Sequence, residues 1–194
     1  LTIRLVLAIA AARDYNLTSI DIRQAYLQGE LKERLFMRVP PYLPHEHRPP
    51  DSDTWVCELN RSLYGLKQAG RVWANLFAAF LTEWGMHRST IDTCLYVYTR
   101  GNLILWVLIY VDDAVICDNC PTLRDRFVSD LSKRFPTEDK GELTWILSVE
   151  IKRDRPISAR SPCLNLFTSR TYSRSLRRTV ALPMCVPLTA RLTI

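Results

Sequence analysis

The stretch Leu103–Cys117, LILWVLIYVDDAVIC, constrains the fold of this chain more than any other. Two adjacent carboxylates, Asp112 and Asp113, interrupt an otherwise apolar run. An ionised carboxylate removed from water without a partner is costly, so such groups are paired, metal-bound or neutralised. Strand-length apolar runs on both sides of a short polar break predict a β-hairpin, Leu103–Tyr110 then Ala114–Cys117, with the acids at its tip. That tip fixes two negative charges on a rigid scaffold, an oxygen-only environment suited to hard divalent cations. Asp is also a common turn residue, and a solvated hairpin turn is the plainer reading of the pair taken alone.

The rest of the chain supplies context. Its 194 residues are 47% hydrophobic, enough for one domain, or a large part of one, with a real core. The apolar run Leu103–Val111 is too short to cross a bilayer as a helix. Thr2–Asp14 (TIRLVLAIAAARD) predicts a helix with Thr2 as N-cap, without the basic leader or cleavage site of a signal peptide. A chain that starts at Leu1 inside a helix is expected to be a fragment. Six cysteines are scattered. Cys117 and Cys120 form a lone CxxC, weak grounds for zinc, and buried free thiols at Cys94 and Cys117 fit an intracellular, reducing setting.

The net charge of +6 is unevenly placed. Nine of the 26 Lys and Arg lie after residue 150, with only Asp154 opposing them, which leaves 17 basic and 19 acidic residues before. Such a tail is expected either to attract a phosphate backbone or to be an ordinary solvated basic segment.

Leu17–Ile22 (LTSIDI) predicts a short strand ending near Asp21, and Leu35–Val39 and Trp55–Leu59 two more. Pro40–Asp53, with five prolines, predicts a surface loop in which His45 and His47 are solvated. Gly70–Gly85 predicts a helix with Val72, Leu76, Ala79 and Phe80 as its apolar stripe. Cys94–Tyr98 pairs with Leu103–Tyr110 across a Thr-Arg-Gly-Asn turn. Pro121–Phe135 predicts a helix burying Leu123, Phe127 and Leu131, and Leu143–Ile151 a last strand. The order strand, helix, hairpin, helix, strand is α+β. It is the split βαβ (ferredoxin-like) arrangement, expected with an antiparallel sheet and helices on one face.

Asp21 precedes Asp112 by 91 residues. In a split βαβ sheet the first strand neighbours the hairpin, so the three carboxylates are expected to converge. Mutual repulsion then calls for a divalent ion to hold them ionised. Two such ions ~3.5–4 Å apart activate a hydroxyl nucleophile and stabilise the leaving oxygen of a phosphoryl transfer.

The segments TIRLVLAIAA, SIDIRQAYLQGEL, VCELNRSLYGLKQAGRVW, DTCLYVY, LIYVDDAVI and GELTWILSVEI, in this order, resemble the reverse transcriptase of Ty1/copia-type retrotransposons. The resemblance covers residues 1–150, implied to be the polymerase palm with partial fingers. Residues 151–194 are implied to be a basic connection and thumb start, through Tyr172, Leu176, Cys185 and Pro187. It implies RNA-directed DNA synthesis with Mg²⁺ (or Mn²⁺), an RNA template, a DNA primer and a deoxynucleoside triphosphate. Asp21, Asp112 and Asp113 match the catalytic metal-binding acids. Tyr26 matches the aromatic that screens the sugar 2′ position, and Gln68 a contact to the incoming nucleotide. Tyr110, Trp145 and Ser148 match the elements that hold the primer–template end. Lys140 matches a group serving the leaving phosphate, with a solvated lysine as the other reading. Assembly with other polyprotein parts follows, with no membrane association, in a cytoplasmic particle or the nucleus.

Three positions depart from the resemblance: Gly70 stands where the family has Pro, Ser148 where it has Gly, and Arg177 where it has an apolar residue. The upstream fingers, with the Lys and Arg that hold the triphosphate, are not in this sequence. The expectation is an incomplete copy, weakly active or inactive alone. The alternative is a non-enzymatic nucleic-acid-binding module or a structural remnant of the same element. An RRM shares the topology, but its RNP aromatics are not found here.

Overall fold

A computed structural model describes residues 2–47, 49, 54–154 and the strand at 163–168. These residues form three helices, α1 (Thr2–Arg13), α2 (Ala69–Glu83) and α3 (Pro121–Arg134). Their strands are β1 (Asn16–Ile22), β2 (Glu30–Arg38), β3 (Val56–Arg61), β4 (His87–Arg88), β5 (Leu95–Arg100) and β6 (Leu103–Tyr110). Then follow β7 (Asp113–Asp118), β8 (Thr137–Glu142), β9 (Trp145–Ile146), β10 (Val149–Asp154) and β11 (Cys163–Thr168). The architecture is α+β, and every strand pairing is antiparallel. The chain divides into two units. Among the described residues, 2–25 and those from 73 to 168 form the first, and those between 26 and 72 form the second. The basic positions beyond Arg153, and Tyr172, Leu176, Arg177, Cys185 and Pro187, lie outside the residues described by side chain.

The first unit is built on a six-stranded sheet in the order β4-β5-β6-β7-β1-β8. Its central strands are buried on both sides. On β1 and β7, Leu17, Val115 and Cys117 join one core cluster with Val6, Leu7 and Ala10 of α1 and with Leu143, Ile146 and Ile151. Strand alternation sends Ile20, Ile22, Ala114 and Ile116 to the other side, and these too are buried. There α3 lies against β7 and β8, burying Leu123, Phe127 and Leu131 as the sequence period required. Helices thus cover both faces of the sheet. The expectation of helices on one face is corrected, because α1, with Leu143, Ile146 and Ile151, covers the second face.

The stripe of α2 also differs from expectation. Ala69, Trp73, Phe77 and Leu81, spaced by four, are buried, whereas Val72, Leu76 and Phe80 are half-buried and Ala79 is exposed. The helix is apolar over a wide arc, and the faces compete by surface area. The face of Trp73, Phe77 and Leu81 has more apolar area to withdraw from water than that of Val72, Leu76 and Phe80. Trp73 meets Phe77 and Phe135 at ring-centroid distances of 5.2 and 5.3 Å, and Phe80 meets Phe127 at 6.2 Å. This aromatic cluster ties α2 to α3.

The last strand is corrected as well. Residues 143–151 are not one strand. They form the hairpin β9–β10, in which Ile146 pairs with Val149 across Leu147 and Ser148. Both loop residues have positive φ, 45° and 67°. That is the sign pattern of a type I′ turn, which favours Asn-Gly. Glycine is suited to position 148 for this reason, and Ser148 and Leu147 hold the turn at a steric cost. Missed entirely from sequence was β8, TEDKGE, because an almost wholly exposed strand shows no apolar alternation. Pairing with β1 makes it a strand.

In the second unit β2 pairs with β3, and Ser62 N–H donates to Gly29 C=O at 2.9 Å. No helix of the described residues is long and apolar enough to cross a membrane. Replacing Leu147-Ser148 with Asn-Gly relieves the turn while removing only a half-exposed leucine side chain. The double variant is expected to be more stable by about 1 kcal/mol in urea unfolding. Unchanged or lower stability would contradict the strained turn.

Candidate active site

Strand β1 delivers Asp21 and the β6–β7 hairpin delivers Asp112 and Asp113. Because β1 pairs with β7, Asp21 stands directly opposite Asp113, and on its other side opposite Glu138 of β8. Ile22 N–H donates to Asp112 C=O at 2.7 Å, so the strand end is fastened to the hairpin tip. Tyr110 is the ladder partner of Asp113 and is 57% exposed. The loop between them is only Val111 and Asp112. Asp112 Oδ1 is buried.

A cation already lies among these acids. Lys140 Nζ donates to Asp21 Oδ1 at 2.7 Å and stands 3.8 Å from Asp113 Oδ1. Partial burial pulls the Lys140 pKa down. Its hydrogen bond to Asp21 and the charges of Asp21, Asp113 and Glu138 more than offset this, leaving it above the usual lysine value. The ammonium is therefore charged throughout the neutral range. Arg23 pairs with Glu138 at 2.8 Å, adding a second exposed ion pair beside the first.

The donor chemistry fits a hard divalent cation. The groups are oxygen-only, and Asp21 and Asp113 share one positive charge in place of repelling each other. Among the described residues, no three His, Cys, Asp or Glu side chains form a ready-made metal cage. Mg²⁺ does not require one, since it keeps several waters and binds through one or two carboxylates together with substrate phosphates.

The hairpin tip is strained. Val111 has φ 58°, a region that β-branched residues rarely enter, at a cost on the order of 1–3 kcal/mol. The indole N–H of Trp73 donates to the Val111 carbonyl at 2.9 Å. Trp73 lies in the helix expected over Gly70–Gly85, outside its expected apolar stripe. The strained turn that it meets carries no mark in the sequence beyond a valine where glycine is usual.

The remaining expected residues separate by unit. Trp145 is in the first unit, half-exposed, at the start of β9, and Ser148 is in the β9–β10 turn. Tyr26 and Gln68 are both half-buried in the second unit. There Tyr26 meets Tyr64 at a ring distance of 4.7 Å. A Cβ at Gly70 would lie 3.8 Å from the Tyr26 hydroxyl, which places the start of α2, just after Gln68, beside that ring.

The CxxC cysteines differ sharply from each other. Burial, then the charge of Asp118, pushes the Cys117 thiol up to about 12. The Cys120 thiol is lowered, first by the Thr122 hydroxyl and then by the Leu123 N–H. At the far end of β1 a polar cavity of about 550 Å³ is lined by Asn16, Thr18, Arg124, Asp139, Glu142 and Arg153. Its mixed charges select neither anion nor cation, and it lies away from the acids.

Residues 1–173 match the family described as Reverse transcriptase (RNA-dependent DNA polymerase). The chain belongs to this family, and to its Ty1/copia type. It is 40% identical over 152 residues, 78% of its length, to the Retrovirus-related Pol polyprotein from transposon RE1 of Arabidopsis thaliana. It is 35% identical over 156 residues, 79% of its length, to that from transposon TNT 1-94 of Nicotiana tabacum. To the Truncated transposon Ty1-A Gag-Pol polyprotein of Saccharomyces cerevisiae it is 29% identical over 157 residues, 77% of its length. The matched stretches are 10%, 11% and 12% of those polyproteins.

Lys140→Met removes the shared cation and leaves Asp21 and Asp113 facing each other. In low salt without divalent ions the variant is expected to melt below the parent. It should regain more stability than the parent on adding Mn²⁺. Equal melting and equal Mn²⁺ response would show that Lys140 is a solvated lysine.

Proposed function

We propose that this chain carries the catalytic centre for RNA-directed DNA synthesis, in a palm of the split βαβ type, using Asp21, Asp112 and Asp113. The observation supporting this most strongly is the cross-strand opposition of Asp21 and Asp113 around a shared cation. The substrates are an RNA template, a DNA primer and a deoxynucleoside triphosphate.

Asp21 and Asp112 hold Mg²⁺ or Mn²⁺, with Asp113 more peripheral. The ions supply charge neutralisation at the reacting phosphate and lower the pKa of the primer 3′-hydroxyl. The primer 3′-oxygen bonds to the α-phosphorus, the bond to pyrophosphate breaks, and the hydroxyl proton leaves to solvent. Rate in such a transfer comes chiefly from positioning and electrostatics. The exposed rings of Tyr110 and Trp145 offer stacking faces for the primer–template end. Tyr26 screens the sugar 2′ position and Gln68 contacts the nucleotide base or sugar. The basic residues after position 150 contact phosphates, and other parts of a polyprotein complete the assembly inside the cell.

Metal binding tests the centre. At a Mn²⁺ concentration 100-fold above its dissociation constant, a single site stabilises the fold by about 2.7 kcal/mol. Asp112→Asn is expected to abolish that shift, and equal shifts in variant and parent would remove the site. Primer extension on an RNA template tests the reaction. Weak extension is expected because Ser148 strains the β9–β10 turn, with an increase in Ser148→Gly and loss in Asp112→Asn. If the chain binds hybrid while Asp112→Asn changes neither metal response nor extension, it is a binding module instead.

A further inference from the structure

We propose that Trp73 is a positioning residue for Asp112, acting through the backbone of the hairpin tip. The inference rests on the reading of Asp112 as part of the reaction centre, but the contact itself stands on geometry.

Three observations meet at this point. First, the tip is a two-residue loop in which Val111 has φ 58° and Asp112 does not have positive φ. That is the sign pattern of a type II′ turn, whose first central position is normally glycine. Rotating the Val111–Asp112 peptide would interconvert it with type I′ and swing Asp112 to positive φ. Second, the Trp73 indole N–H, a donor only, holds the Val111 carbonyl at 2.9 Å. The oxygen it holds belongs to the peptide that would rotate, so the hydrogen bond selects one turn type. Third, the indole cannot follow a moving loop. Trp73 is 3% exposed and fixed between Phe77 and Phe135.

The same ring is tied to the strand carrying Asp21. Phe135, packed edge-on to Trp73, precedes Pro136, whose carbonyl accepts the Arg23 N–H at 2.8 Å. Ile22 N–H reaches Asp112 C=O at 2.7 Å. The strand end and the hairpin tip therefore share one buried reference, the Trp73–Phe135 pair. A valine at the strained position is tolerated because the indole holds the turn from below.

Trp73→Phe keeps an aromatic ring in the cluster and deletes the donor together with part of the ring volume. In the metal-free chain, the amide resonances of Asp112 and Asp113 are expected to shift or broaden in this variant, while those of β4 and β5 stay in place. Mn²⁺ affinity is expected to fall about tenfold, the low end for groups that orient metal ligands. Adding Val111→Gly, which makes positive φ easy, should not restore the lost donor, so the tip remains exchange-broadened. Unchanged tip resonances in a folded Trp73→Phe chain would overturn the proposal, leaving Trp73 as core packing. If Trp73→Phe does not fold, the parent decides: its Trp73 indole proton should exchange at least about tenfold more slowly than that of half-exposed Trp145. Equal exchange would overturn the proposal. Shifted tip resonances in a chain whose parent binds no Mn²⁺ would sustain the positioning contact and instead defeat the reading of the acids as a metal site.

Discussion

Pairing of β1 on both edges is the constraint on which the site depends. With β7 on one side and β8 on the other, Asp21 has one available register, opposite Asp113 and Glu138. A slip of one residue would move Ile20 and Ile22 to the half-buried face of Ser19 and Asp21 and carry Asp21 to the fully buried one. Burial of those isoleucines thus fixes the carboxylate geometry, and the apolar core and the charged edge are one design. Lys140 follows from the same pairing, because β8 carries it to Asp21.

The site combines fixed and strained backbone. Ladder pairing holds Asp21 and Asp113, whereas the loop residue Val111 stays in an unfavourable conformation that its surroundings impose. Strain of this kind persists only where neighbouring structure overdetermines it, and it is found at functional sites more than elsewhere. The β9–β10 turn shows the contrasting case. Leu147 and Ser148 sit at positive φ in an exposed loop, where substitution alone can relieve the cost.

Much of this was legible in the sequence, for identifiable reasons. The hairpin Leu103–Cys117 and helix α3 have apolar patterns long enough to fix both type and boundary, and their observed ranges agree closely with expectation. The placement of Asp21 beside the tip followed from strand order. Other features left no local signal. Strand β8 is polar because only its edge pairing makes it a strand. The break at Leu147-Ser148 is hidden because neither residue is a turn former. The buried stripe of α2 is displaced by one position because a broadly apolar helix leaves its innermost face to be chosen by partners, here Phe135, which meets Trp73 and Phe77. The contact from Trp73 to Val111 joins residues 38 apart, and no periodicity reports it.

The central claim is that the end of β1 and the hairpin tip form one cation site. Paramagnetic broadening by Mn²⁺ in the NMR spectrum of the full chain maps that site directly. At substoichiometric Mn²⁺, the amides of Asp21, Ile22, Asp112 and Asp113 should vanish first, followed by Lys140, with the polar cavity around Asn16 and Arg124 unaffected. Broadening centred on that cavity, or spread evenly over exposed acids such as Glu83 and Asp125, would contradict it.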